Sequence, residues 1–159
     1  MHKLMSVFLF LTLYLYAVSI PFNEEKYINA LQSSVYNKGF LEITDDFIKI
    51  SYPKKDKTYL FYADHIVHIS NNNEETIKYE DNLELTIFSK LIHAIYNNKS
   101  EELKEYFEIN ANATTIVLLP NEYLSNAIKK IEYQKNGTVL KFLKIYFNNE
   151  DWIKIEETR

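Results

Sequence analysis

The chain has no cysteine, and this absence excludes several kinds of protein. Disulfide bonds, which commonly stabilise small exported domains, cannot form, so side-chain packing alone must hold the fold together. Metal sites built on thiolate ligands are excluded for the same reason. We also expect no lipid attached to an N-terminal cysteine of the kind that bacterial lipoproteins carry.

Glycine is nearly as scarce, with two residues, and there are three prolines. Gly39 and Gly137 are isolated from each other, so the chain cannot build a glycine-rich phosphate-binding loop. Ser100 and Ser125 lack the Gly-x-Ser-x-Gly context of a hydrolase nucleophile. No stretch resembles a flexible linker, which favours one domain.

Histidines and paired acidic residues offer no convergent site. His65 and His68 flank an apolar dipeptide beside Asp64, but residues three apart on a strand point to opposite faces of a sheet. Asp45-Asp46 is typical of a turn, and Glu101-Glu102 suits the positive end of a helix dipole. We therefore predict a protein that is not an enzyme and needs no metal or other cofactor.

The charge balance is mildly acidic. Eighteen lysines and arginines face 22 acidic residues, for a net charge of −4. A surface of this sign disfavours a polyanionic partner, so nucleic acid is an unlikely ligand class on electrostatic grounds.

The N-terminus has the pattern of a secretory signal. A short basic start, Met1-His2-Lys3, precedes a mostly apolar run over residues 5–18, and Ala17-Val18-Ser19 supplies small residues for cleavage. Because the run is shorter than the ~20 residues that span a bilayer, a cleaved signal peptide over residues 1–19 fits better than the alternative, a retained anchor. The sequence thus predicts export and a single mature domain over residues 20–159.

Hydrophobic periodicity predicts an α+β fold. Asn23 is a candidate N-cap for a short helix over residues 24–32, with Tyr27, Ile28 and Leu31 on one face. Two further helices are predicted over residues 85–97, capped by Asn82, and 101–106. Period-two alternation predicts strands over 35–44, 47–52, 58–62, 65–70, 76–79, 115–119, 129–135, 138–147 and 152–156, with a hairpin turn at Asn136-Gly137.

Short turns between most of these strands indicate two antiparallel meanders separated by the helical pair. We expect the strands to join into one strongly curved antiparallel sheet with the helices covering its concave face. Several strands are apolar on both faces, notably at residues 59–62, 116–119 and 140–147. Such strands either tolerate aromatic side chains at the surface or line a cavity that binds a lipid.

The order of these patterns resembles the periplasmic outer-membrane lipoprotein carriers, the LolA-like family. The likeness rests on Phe22-Asn23-Glu24-Glu25-Lys26, on Gly39-Phe40-Leu41-Glu42-Ile43 followed by a strand that ends in Tyr52-Pro53, and on the position of the helical pair. It extends through the strand that ends in Leu118-Leu119-Pro120 and the hairpin at Asn136-Gly137-Thr138. The match covers nearly the whole mature region.

The resemblance implies an incomplete, curved β-barrel roofed by helices, whose hollow shelters acyl chains of lipoproteins or another lipid between inner and outer membrane. It also implies a monomeric periplasmic protein served by an inner-membrane exporter and an outer-membrane acceptor. The match assigns Ile48 and Ile50 to the cavity wall. Strand and helix periodicity add the other candidate wall residues: Leu41, Ile43, Phe88, Ile92, Ile116 and Leu118.

The chain departs from that family at two points. Thr44-Asp45-Asp46 stands where family members often place an arginine in the first hairpin turn, and the usual tryptophan before the Leu-x-Pro strand is replaced by Thr115 or Ile116. These differences leave open whether the cargo is a lipoprotein or another lipid. A second hypothesis is a secreted interaction module that docks another protein through exposed tyrosines such as Tyr62 and Tyr146.

Overall fold

A computed structural model describes residues 18–112 and 114–159 of the chain. Almost all of the predicted signal peptide lies outside these residues, so the signal and its cleavage after Ser19 stay predictions. Within the described ranges, no helix combines the length and the apolar character needed to cross a bilayer.

The protein is built mainly from one antiparallel sheet of eleven strands, ordered β6-β5-β4-β3-β2-β1-β11-β10-β9-β8-β7. The strands are β1 (Ser19–Ile28), β2 (Ser33–Ile43), β3 (Ile48–Tyr52), β4 (Lys57–Phe61), β5 (His65–Ser70), β6 (Asn73–Lys78), β7 (Phe107–Ala111), β8 (Ile116–Pro120), β9 (Ile128–Asn136), β10 (Val139–Phe147) and β11 (Trp152–Glu157).

This strand order has a simple path. The first six strands run outward from β1 to one edge of the sheet at β6, and the helical segment then takes the chain to the other edge at β7. The last five strands return toward the centre, where β11 pairs with β1. The sheet is not closed. The predicted single antiparallel sheet of two meanders is therefore confirmed.

The helix α1 spans Leu83–Tyr96, close to the predicted 85–97. Asn82 caps it as expected, since its side-chain Oδ1 accepts a hydrogen bond from the backbone N–H of Leu85 at 3.0 Å. The buried side of α1 consists mainly of apolar residues: Ile87, Leu91, Ile92, Ala94 and Ile95, with Ser89 among them. The predicted helix at 101–106 is instead a 3₁₀ helix, Ser100–Glu105, which is too short for a stable α-helix.

The predicted helix over residues 24–32 is wrong. Residues 19–28 form β1, and only Asn29–Leu31 make a single 3₁₀ turn before β2. β1 pairs with β2 along its whole length and with β11 over residues 22–27, and these two hydrogen-bonded ladders outweigh a weak helical spacing of three apolar residues. Ile20, Phe22, Glu24 and Lys26 face the same side of β1. Because Glu24 and Lys26 are charged, the alternation of apolar and polar residues that marks a strand is not visible in the sequence.

One face of the sheet contacts α1, and we call it the helix-side face. The rings of Phe61 on β4 and Phe88 on α1 lie 6.2 Å apart between centroids. The face consists of alternate residues from each strand, and its most buried members include Phe22, Leu41, Ile48, Ile50, Phe61, Ile66, Leu118, Ile131, Leu143 and Ile155. Together with the buried side of α1 these residues make one continuous hydrophobic core.

Gly39 on β2 is required by close packing on this face. It pairs with Phe22 on β1, whose ring packs edge-on against Tyr52 at 5.7 Å between centroids. A Cβ added to Gly39 would overlap the Phe22 ring and would lie 2.9 Å from the carbonyl oxygen of Ser51. The absence of a side chain therefore lets an aromatic ring cross the strand beside Tyr52.

Candidate functional site

A pocket of about 250 Å³ lies between the first half of α1 and the helix-side face of the sheet. Its walls come from β1, β3, β4, β10, β11 and α1, and from the segment just before β9. Most of its lining is apolar: Ile50, Tyr52, Tyr59, Phe61, Leu83, Leu85, Ile87, Phe88, Ala127, Ile128, Ile145, Phe147, Ile153 and Ile155. We call this the apolar pocket.

The register of the strands explains why apolar side chains converge there. Ile145 on β10 lies opposite Ile153 on β11, and Ile50 on β3 lies opposite Tyr59 on β4. Because side chains alternate along a strand, these pairs all point to the face that α1 contacts. Phe61 and Phe88 close the pocket from the sheet and from the helix. The result is a continuous apolar wall of the kind that binds hydrocarbon.

A polar cluster lies at the mouth of this pocket. Glu24 on β1 accepts a hydrogen bond from the Tyr52 hydroxyl at 2.6 Å through Oε2. Its Oε1 accepts a second from the Asn37 side-chain amide, also at 2.6 Å. Burial raises the pKa of Tyr52 well above its ordinary value, and the negative charge of Glu24 raises it further. The hydroxyl of Tyr52 is thus held protonated, as a donor to the carboxylate.

We expect the Tyr52→Phe variant to lose part of the protein's alkaline sensitivity. In the unfolded chain Tyr52 releases its proton above pH ~10, whereas the folded protein retains it. The contribution of this group to stability is therefore present below that pH and is lost as the pH rises above it. Urea unfolding at a series of alkaline pH values should show a shallower fall in unfolding free energy for Tyr52→Phe than for the parent. Equal slopes would contradict the assignment.

A second polar contact fixes the far end of α1. The Tyr96 hydroxyl donates to Oε2 of Glu157 on β11 at 3.1 Å, and the same oxygen accepts the backbone N–H of Leu140 at 2.8 Å. Arg159 also pairs with the Glu157 carboxylate, whose side chain is 1% exposed. The Lys135 ammonium group donates to the carbonyl oxygen of Ile95 at 2.7 Å. The C-terminal end of α1 is therefore tied to the sheet.

The structure brings the eight predicted wall residues to the interface between α1 and the sheet or to the same face of the sheet. Leu41, Ile48, Ile50, Ile92 and Leu118 are at most 4% exposed, and Ile43, Phe88 and Ile116 are partly buried against the same core. Only Ile50 and Phe88 line the apolar pocket. Leu41 and Ile92 line a much smaller gap beside it, together with Ile50 and Phe88. The other four residues line neither space, and the prediction that these eight bind lipid remains untested.

Most of the pocket wall was missed by sequence reasoning. The missed residues include Ile145, Phe147, Ile153 and Ile155 on β10 and β11, at alternate positions of the last two strands. That alternation is visible in the sequence, but it does not reveal that β11 pairs with β1 and so places the C-terminal strand beside the first one. Leu83, Leu85 and Ile87 in the first half of α1 were also missed, because their contact with the pocket depends on where the helix lies over the sheet.

The histidines have separate surroundings. His65 Nδ1 lies 2.7 Å from Asp64 Oδ1, whereas the His68 ring stacks on Tyr59 at 4.7 Å between centroids. Among the residues that the structure describes, no group of three or more His, Cys, Asp or Glu side chains is placed to hold a metal ion.

Comparison with known proteins adds no identification. No protein-family model matches the chain, and a search of curated proteins finds no similar sequence.

Proposed function

We propose that this protein is a non-enzymatic periplasmic carrier that shields acyl chains in an apolar cavity, as the resemblance to LolA-like carriers implies. The observation that carries the proposal is the apolar pocket between α1 and the helix-side face, most of whose lining residues are apolar. In this view the sheet is strongly curved, and α1 and Ser100–Glu105 cover its concave face. An inner-membrane exporter would load the monomeric carrier, and an outer-membrane acceptor would unload it.

The energetics of hydrocarbon burial support such a role. Each methylene removed from water contributes ~0.8 kcal/mol, so a lipid gains affinity only from a continuous apolar wall. The pocket provides that wall in a chain whose surface is otherwise mildly acidic and polar.

The position of the polar contacts supports reversible loading. The direct hydrogen bonds from α1 to the sheet strands lie at the C-terminal end of the helix, at Tyr96 and Ile95. Its N-terminal residues Leu83 and Leu85 line the pocket, and its first half is held through Tyr79, whose hydroxyl donates to the carbonyl oxygen of Tyr62. A carrier must release its cargo, and opening of the Tyr79 contact would let this half move while the C-terminal hydrogen bonds stay in place.

Uptake of a hydrophobic fluorescent dye tests this proposal. The purified protein should bind the dye saturably, at about one site per chain, and an added fatty acid should displace it, because both occupy the apolar pocket. Unsaturable binding, or dye that a fatty acid cannot displace, would contradict the proposal.

The alternative, a protein-docking surface on the other face of the sheet, is less well supported. Tyr146 donates from its hydroxyl to Glu132 at 3.0 Å, and the ammonium groups of Lys130 and Lys144 lie 4.7 and 4.8 Å from its ring centroid. Tyr62 stacks on His65 at 4.8 Å between ring centroids. Both tyrosines that the docking hypothesis needs are therefore engaged within the chain.

A further inference from the structure

We propose that the cargo of the apolar pocket is an amphiphile with a single alkyl chain and an anionic headgroup. This inference rests on the proposed function and narrows its ligand class. Two observations support it: the volume of the pocket, and the excess of lysines over carboxylates among the residues that line it.

The volume limits how much hydrocarbon can enter. A buried methylene occupies about the volume of a water molecule, roughly 30 Å³. The apolar pocket, at about 250 Å³, therefore holds about eight methylenes of one chain.

A second, polar space adjoins the first. This basin has a volume of about 650 Å³ and is lined by polar side chains almost throughout. Glu24, Asn37, Tyr52 and Lys55 line both spaces. The strand register points the other strand residues of the basin to the face of the sheet opposite α1, so the basin lies mainly on that face: Asn23, Glu25, Tyr36, Lys38, Lys154 and Glu156.

Lysines give the mouth a positive character. Lys26, Lys55 and Lys57 line the apolar pocket, whereas Lys38 and Lys154 line the basin from the opposite face of the sheet. Within the described part of the chain, Lys26, Lys55 and Lys57 have no carboxylate oxygen within 4.0 Å. The ammonium group of Lys57 lies 4.8 Å from the centroid of the Tyr59 ring, so it is held at the pocket wall.

Four carboxylates also line these spaces, and most are already engaged. Glu24 accepts from Tyr52 and Asn37. Glu25 accepts from the Ser34 hydroxyl at 2.7 Å and from the Tyr36 hydroxyl at 2.9 Å. Glu156 pairs with Lys154 at 2.6 Å, and Glu84 is exposed. The donors to Glu24 and Glu25 are neutral, so both carboxylates keep their negative charge. Three lysines and two carboxylates line the apolar pocket, and this excess of ammonium groups favours a carboxylate or phosphate headgroup.

Calorimetric titration of the delipidated protein with decanoate, decyl phosphate and decanol tests the inference. Each of these ligands has a single ten-carbon chain, and they differ in the headgroup. Both anions should bind at least about tenfold more tightly than the alcohol, and the difference should shrink at high salt. Whichever anion binds more tightly identifies the headgroup chemistry. Affinity should rise about fourfold per methylene from hexanoate upward, equivalent to ~0.8 kcal/mol each, and should level off once the pocket is full.

Lysine variants separate the headgroup from the chain. The double variant Lys55→Gln/Lys57→Gln should reduce the preference for decanoate over decanol to less than about threefold and leave decanol binding unchanged. The double variant Lys78→Gln/Lys141→Gln makes the same change of net charge away from both spaces and should behave like the parent. Equal affinity for decanoate and decanol in the parent would overturn the inference but leave the carrier proposal standing. Failure of every alkyl ligand to bind would overturn both.

Discussion

Replacing Phe147 by glutamate should lower the affinity of the protein for an alkyl ligand by at least about tenfold. Phe147 is half-buried at the end of β10 and lines the apolar pocket. The variant loses an aromatic wall, worth ~1.5–3 kcal/mol of apolar burial, and places a carboxylate where hydrocarbon must pack. Titration with the displaceable dye measures the change.

The matched control for this variant is Phe40→Glu. Phe40 is 41% exposed on β2 and alternates with Gly39 and Leu41, so it lies on the face opposite α1. The control should bind the dye as the parent does, and both variants should keep the far-UV circular dichroism of a folded sheet. Ile153→Glu, on the neighbouring strand β11, provides a second test. If Phe147→Glu and Ile153→Glu bound the dye as tightly as the parent, the dye would bind at a site other than the apolar pocket.

Replacing Glu157 by alanine should reduce the free energy of unfolding by roughly 2–4 kcal/mol, because two donors lose their shared acceptor. The carboxylate accepts hydrogen bonds from the Leu140 N–H and the Tyr96 hydroxyl. Its side chain is almost completely buried, so water cannot replace it as the acceptor. It also connects the last turn of α1 to the centre of the sheet. Urea unfolding of the variant and the parent measures the difference.

The neighbouring substitution Glu156→Ala is the control. Glu156 lies on the opposite face of β11 and pairs with Lys154, in a partly exposed ion pair of the kind that contributes little to stability. Its removal should change the free energy of unfolding by less than about 1 kcal/mol. If Glu157→Ala were no more destabilising than Glu156→Ala, the account of how α1 is held would be wrong.

The sequence predicts nine of the eleven strands at least in part, because nearly all of these alternate or lie next to a strong turn signal, and it misses β1 and β7. Asn136-Gly137 is an example, with Gly137 at φ = 59° in the turn between β9 and β10. The first strand was missed because Glu24 and Lys26 interrupt the apolar alternation that Ile20 and Phe22 begin. That interruption is itself informative, since both charged residues line the mouth of the pocket.

The candidate site is less accessible from sequence than the fold. Of the two predicted residues that line the pocket, Ile50 was assigned from the family resemblance and Phe88 from periodicity, which identifies the buried face of an element. Periodicity does not distinguish a residue packed in the core, such as Ile48 or Leu118, from one beside an open space, because both are apolar and face inward. Only the pairing of β1 with β11 and the position of α1 over the sheet locate the space.

Gly39 illustrates the same limit at a single residue. Sequence patterns place a glycine within a strand, where it is normally unfavourable. The reason for it lies in the Phe22 ring that crosses it from the neighbouring strand and packs against Tyr52. Tyr52 in turn donates to Glu24, so a close-packed contact in the sheet positions the polar cluster at the pocket mouth.

The central claim is that the space between α1 and the sheet carries a lipid. Lipid extraction and mass spectrometry of the protein, freshly purified without detergent, test it most directly. The account predicts a co-purified amphiphile with one alkyl chain and an anionic headgroup, at about one molecule per chain, and its loss from the Phe147→Glu variant. Protein that contains no lipid, and that takes up none when incubated with a fatty acid, would contradict it.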